Sequence, residues 1–190
     1  MTENEYLPTN TVAAATSAVE VYPCRTLEIR RQGKLSRNIE VLDVDSTSAL
    51  YTIKRKTLKP QLTFTSASGN QTVATVEFRN FSFNIDINCR GQFSTIKQEW
   101  KWKATYTYIS PITSATLTWK AEQLTSMDLI CQDERGIALA RFHYAKWSMT
   151  KLGTLEIVGN AAAGGPILEE LVVTGVSVMT HYQMQAAAAS

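Results

Sequence analysis

A chain of 190 residues, 44% hydrophobic and 19% charged, carries enough apolar material for one sizeable core, which excludes globally disordered, collagen-like and mucin-like classes. Its formal net charge of +2 is too small to imply a nucleic-acid partner. Cys24, Cys89 and Cys131 are odd in number and far apart, which favours free thiols in a reducing compartment over a disulfide framework.

Residues 1–20 are polar or small and lack sustained periodicity, so a flexible tail without a secretory signal is expected there. From Arg25 onward the apolar residues recur with period two, the mark of half-buried strands, and turn residues break the series again and again. Leu27 and Ile29 alternate with Glu28 and Arg30 before Gln32-Gly33 turns the chain. Asn38 to Asp45 is a second segment, and Leu50 to Lys56 puts Tyr51 and Ile53 on one face against Thr52, Lys54 and Lys56. Leu62 and Phe64 precede the hairpin signal Ser68-Gly69-Asn70, and Ala74, Val76 and Phe78 follow it. The cleanest alternation runs Phe81, Phe83, Ile85, Ile87, and Arg90-Gly91 turns from it into Phe93 to Gln98. Trp100, Trp102, Tyr106 and Tyr108 form an aromatic stripe whose expected role is core packing. Leu117 and Trp119, then Met127 to Cys131, Ile137 to Tyr144 and Gly153 to Val158 complete about a dozen short strands, joined too closely for parallel crossovers.

The last stretch, Pro166 to Gln185, differs. Its apolar residues leave no broad polar stripe at helical spacing, Pro166 suits a first helical position, and Glu169-Glu170 suit the positive end of a helix dipole. A helix apolar on nearly every side has to be surrounded. A one-sided antiparallel sheet needs its apolar face covered and its edges removed, and closure into a barrel does both. A barrel of this strand number is too wide for its own side chains to fill. The expected fold is therefore mainly β: a closed antiparallel barrel of about twelve strands around a buried hydrophobic C-terminal helix. The expected organisation is a tail over 1–20, one barrel domain over 21–185 with its helix at 166–183, and a flexible end over 186–190. No run is long and apolar enough to span a bilayer as a helix.

This order of segments resembles the tubby C-terminal-like superfold, which includes tubby proteins, phospholipid scramblases and plant LURP-one-related proteins. The resemblance is strongest to uncharacterised fungal proteins with this domain. It is carried by Leu50-Tyr51-Thr52-Ile53, Thr118-Trp119-Lys120, Leu129-Ile130-Cys131-Gln132-Asp133 and Gly136-Ile137-Ala138-Leu139-Ala140. Lys151-Leu152-Gly153-Thr154-Leu155-Glu156-Ile157 and Leu168-Glu169-Glu170-Leu171-Val172-Val173-Thr174-Gly175 extend it, so that it covers about residues 25 to 184. It implies a twelve-stranded barrel threaded by a helix, and membrane-linked roles such as the phosphoinositide binding of tubby proteins. No residue of the tubby lipid pocket is assigned here, and the absence of a cysteine cluster disfavours a scramblase role.

Lys54-Arg55-Lys56 with Lys59 is the densest basic run, and Lys101 and Lys103 form a second outward pair. Each cation near an acidic membrane is worth about 1 kcal/mol, so these six residues are the candidate contacts for anionic lipid headgroups. The bland alternative is a solvated exterior whose lysines oppose edge pairing. His143 and His181 lack partners at metal-motif spacing, and no hydrolase elbow, P-loop, dinucleotide fingerprint or zinc-protease motif occurs. No metal, cofactor or enzymatic activity is expected. The function expected is an intracellular binding module, cytoplasmic and peripheral to membranes, that docks to anionic phospholipid or phosphoinositide headgroups. The alternative is a scaffold without a lipid ligand that recruits proteins through the N-terminal tail.

Overall fold

The computed structural model describes residues 23–79, 82–100, 104–123 and 126–188. The expected tail, Phe81, Trp102, Lys101 and Lys103 lie outside the described residues, as does the side chain of Trp100. The strands are β1 (Cys24–Arg31), β2 (Ile39–Asp43), β3 (Ala49–Arg55), β4 (Leu62–Ser66), β5 (Thr72–Phe78) and β6 (Ile85–Cys89). They continue as β7 (Gln92–Trp100), β8 (Ala104–Ile109), β9 (Thr116–Ala121), β10 (Leu129–Gln132), β11 (Ala138–Tyr144) and β12 (Lys151–Val158). Each pairs with its sequence neighbours, and β1 returns to β12, closing the barrel. All pairings are antiparallel, with β1 set against β12 from Cys24↔Val158 to Arg30↔Lys151. The expected fold class is what the chain forms.

Period two places one face of every strand inside. Leu27, Ile29, Ile53, Leu62, Phe64, Ile85, Ile96, Tyr106, Trp119, Leu129, Phe142 and Leu155 are fully buried. Tyr106 and Tyr108 therefore belong to the core, as the aromatic stripe suggested. The interior is filled by α1 (Pro166–Ala188), buried without a break from Leu168 to His181. A helix rises about 1.5 Å per residue, so this one is long enough to thread the barrel. Two of its hydroxyls inside the core are matched locally: Thr174 Oγ1 donates to the Glu170 carbonyl at 2.8 Å and Ser177 Oγ to that of Val173 at 2.6 Å.

Two sequence expectations need correction. The helix starts at Pro166 as expected but runs on to Ala188, so 186–188 is helix instead of a flexible end. Gln183 to Ala188 consists of good helix formers, and nothing there breaks the helix. The clean alternation beginning at Phe81 does not extend one strand that far: Phe83 has φ +54° and is partly exposed, and β6 begins at Ile85. A positive φ reverses the chain locally, which period two alone cannot reveal. Gly153, adjacent to turn-like residues, lies within β12; a Cβ there would come within 2.5 Å of the His143 carbonyl oxygen, so only glycine lets β11 and β12 approach.

His181 sits deep in this core, stacked on Phe78 at 5.5 Å and edge-on to Tyr106, whose hydroxyl lies 3.3 Å from Nδ1. Burial lowers its pKa to about 4, against about 6.5 in an unfolded chain. The unfolded chain therefore takes up the proton first. Stability from neutral His181 is complete above about pH 6.5 and is lost as pH falls towards 4, a loss on the order of 2–3 kcal/mol. Glu170 acts in the opposite sense, because burial raises its carboxyl pKa and its contribution to stability grows as pH falls. Comparing wild type with His181→Gln cancels the Glu170 effect. Wild type should melt higher at pH 7, and the gap should narrow steadily down to pH 4.5. A gap that stays constant over that range would show that His181 does not titrate with folding.

Candidate functional site: a basic mouth at one end of the barrel

Because the strands alternate in direction, the loops β1–β2, β3–β4 and β11–β12 all emerge at one end, where the C-terminal half of α1 lies. The strands leading to that end keep their alternation to the last residue. Leu27, Ile29 and Arg31 share the inward side of β1, and Tyr51, Ile53 and Arg55 share that of β3. Both strands thus deliver an arginine to the rim at a position that, one turn deeper in the barrel, would hold core.

There the two arginines meet Lys34 and Arg37 of the β1–β2 loop around a pocket of about 160 Å³. That is well above the roughly 10–15 Å³ that a single water requires. Leu35, Ser36, Ile39, Leu152, Thr180 and Gln183 complete its lining. No carboxylate lines it. Among the described residues Arg31, Lys34, Arg37 and Arg55 form no ion pair, and Arg37 reaches only the hydroxyl of Thr57, at 3.4 Å. Burial, and after it the like charges of Arg31 and Arg37, push the Arg55 guanidinium below its ordinary pKa.

Thr180 supplies the other polar group. It is 1% exposed, yet its Oγ1 has no hydrogen-bond partner among the described residues, unlike Thr174 and Ser177 on the same helix. A buried hydroxyl without a partner costs about 1–3 kcal/mol, so Thr180 is an unsatisfied polar group in the wall of a basic pocket. An oxyanion in the pocket would offer acceptors to the guanidinium groups.

The expected basic residues divide in consequence. Arg55 enters the mouth and Lys56 lines an adjoining depression with Arg37, Thr57, Gln61, Phe78 and Met184. Lys54 is exposed on the outer wall, and Lys59 is bound to Glu77 at 3.1 Å. Lys101 and Lys103 lie outside the described residues. Sequence reading overlooked Arg31, Lys34, Arg37 and Thr180. The available signal was parity: an arginine on the apolar register of two strands that end at the same side of the barrel.

The opposite end has another character. Glu169, buried at the start of α1, is held by Arg90 at 2.6 and 3.0 Å and by the Tyr51 hydroxyl at 3.3 Å. Its proximity, with burial as the larger cause, raises the Tyr51 pKa to about 12. Glu170 accepts a bond from Ser110 at 2.9 Å and leaves Oε1 unpartnered. The Arg90–Glu169 pair is a structural clamp on the helix start, whereas Glu170 has a hydroxyl partner and no ion pair among the described residues. The cysteines are all free; burial raises Cys89 to about 12 and Cys131 further, which leaves those two unreactive. Among the described residues no three His, Cys, Asp or Glu side chains gather as metal ligands would, and no helix is long and apolar enough to cross a membrane.

Residues 35–181 match the profile of a family described as a family of unknown function, DUF6593. The chain belongs to that family. The DUF6593 match begins in the β1–β2 loop at Leu35 and ends within α1 at His181, so it takes in Arg37, Arg55 and Thr180 of the mouth. No curated protein matches the chain. Among solved structures, the X-ray structure of a protein from Arabidopsis thaliana is similar, at 12% identity and a TM-score of 0.45, over 82% of this chain and 88% of that one.

Proposed function

We propose that the protein is a non-enzymatic binding module that holds the phosphate of an anionic headgroup in its basic mouth and works in the cytoplasm, peripheral to membranes. The observation that carries this is the set of cations without ion-pair partners among the described residues, Arg31, Lys34, Arg37 and Arg55, around a pocket that Thr180 also lines. Such a set is complementary to a phosphate's oxygens. The resemblance of the sequence to the tubby-like superfold, whose members include phosphoinositide binders, supports it, as do three free cysteines. Phosphoinositides are accordingly the headgroups to test first.

Two variants separate this function from a bland solvated rim. Arg37→Glu with Arg55→Glu reverses two contacts of at least about 1 kcal/mol each, so binding to vesicles containing phosphatidylinositol phosphates should fall by well over tenfold at low salt. Thr180→Val keeps the shape and removes the unsatisfied hydroxyl. It should weaken binding several-fold while leaving melting equal or higher, a combination that loss of fold cannot mimic. Lys54→Glu, on the outer wall, should change binding less than twofold. Equal co-sedimentation of wild type and the double variant would leave the mouth without a ligand.

A second use, as a protein-interaction scaffold, has one observation behind it. An open groove of about 720 Å³ at the other end is lined by Ile112, Ile137, Leu139, Val158 and Ile167. Apolar clefts of that kind accept protein side chains.

A further inference from the structure

The rim around the mouth extends the chemistry of the pocket. Leu35 in the β1–β2 loop is 99% exposed, Leu58 in the β3–β4 loop 80%, and Trp147 and Met149 in the β11–β12 loop 98% and 69%. Side chains this exposed contribute little to holding the barrel together. Each of these loops also carries cations and no carboxylate: Lys34 and Arg37 in the first, Lys56 and Lys59 in the second, Lys146 in the third. Lys34, Arg37, Lys56 and Lys146 form no ion pair among the described residues. Leu35 is itself part of the mouth, which ties the apolar tips to the phosphate pocket.

Exposed apolar residues alone do not distinguish the two ends, since Ile112 and Ile137 project at the other. Charge does. The loops of that end carry Asp45, Asp133 and Glu134, and their cations Arg90 and Arg135 are already bound to Glu169 and Asp133. Among the described residues the basic end alone pairs apolar tips with unmatched positive charge, its carboxylates Glu122 and Asp128 lying in the β9–β10 loop. That combination fits a bilayer surface, where the phosphate layer lies directly above hydrocarbon.

We infer that the barrel docks end-on to an anionic bilayer, with Leu35, Leu58, Trp147 and Met149 entering the headgroup–acyl boundary while Lys34, Arg37, Lys56 and Lys146 meet lipid phosphates around the mouth. This placement rests on the mouth being a phosphate site. The barrel axis, and with it α1, then stands towards the membrane plane, and the groove at the far end faces away from it.

The test uses the full chain with vesicles of phosphatidylcholine, alone or mixed with phosphatidylserine and phosphatidylinositol phosphates, and with a soluble inositol phosphate as the non-membrane arm. Wild type should co-sediment with the anionic vesicles and much less with the neutral ones. Leu35→Ser, Leu58→Ser and Trp147→Ser combined should lower vesicle binding more than tenfold, keep the melting temperature, and leave binding of the soluble inositol phosphate unchanged. Lipids brominated near the interface should quench a tryptophan signal in wild type that Trp147→Phe lacks. If the triple variant sediments like wild type and Trp147 is not quenched, insertion is overturned while the phosphate site stands. Binding of the soluble phosphate without any vesicle binding overturns membrane docking and keeps the site. No binding in either arm removes both. Equal sedimentation on neutral and anionic vesicles overturns the charge argument.

Discussion

Val172→Asp is expected to yield insoluble or molten protein. Val172 is fully buried on the helix that fills the barrel. An aspartate there loses the apolar contact and buries a carboxylate. Changes of that kind cost several kcal/mol, against a typical domain stability of about 5–15 kcal/mol. Val172→Thr has nearly the same shape, and its hydroxyl can bond the carbonyl one turn back, as those of Thr174 and Ser177 do. It should fold and melt modestly lower. Soluble V172D protein melting with wild type would mean that α1 does not fill the barrel.

Trp119→Ala should be nearly as severe, at about 3–5 kcal/mol. Trp119 on β9 has no exposed surface, and its Nε1 donates to Thr174 Oγ1 at 3.1 Å, so the indole seats the helix both by contact and by direction. Gly175 lies directly beneath it: a Cβ at that position would fall 2.9 Å from the ring carbon Cη2. Gly175→Val in the wild-type background therefore overpacks the site, at a cost of about 1–3 kcal/mol. In Trp119→Ala the same valine enters the space the indole vacated, and its cost should fall or change sign. Thermal or urea unfolding of the four proteins measures that coupling. Additive effects would separate Gly175 from Trp119 and leave the close approach unexplained.

Much of this architecture was legible in the residues because the physics behind it is local. Alternation along β1, β3 and β5 follows from the two-residue repeat of a strand, and Gly69-Asn70 and Arg90-Gly91 mark reversals through the positive φ at Asn70, Arg90 and Gly91. The missing polar stripe in Pro166–Gln185 demanded a surround, and the number of strands demanded a filling. Where local reading missed, running too far at Phe83 and stopping short at Gln183, the deciding features were a single backbone dihedral and the absence of a helix stop.

By itself, then, the sequence determined the strands, the filling helix and the need for closure, since each is written in spacing, side-chain volume and polarity. The site was decided by the tertiary structure. Read linearly, Lys54, Arg55 and Lys56 are one basic run, but a strand sends neighbours to opposite faces, so the fold scatters them between outer wall, mouth and rim. Arg31 and Arg55 look unrelated in the chain and meet because strands running the same way end at the same rim once the barrel closes. Thr180 looked like one more hydroxyl in a helix; only the packed barrel leaves it buried without a partner among the described residues, in the wall of a pocket that no carboxylate lines.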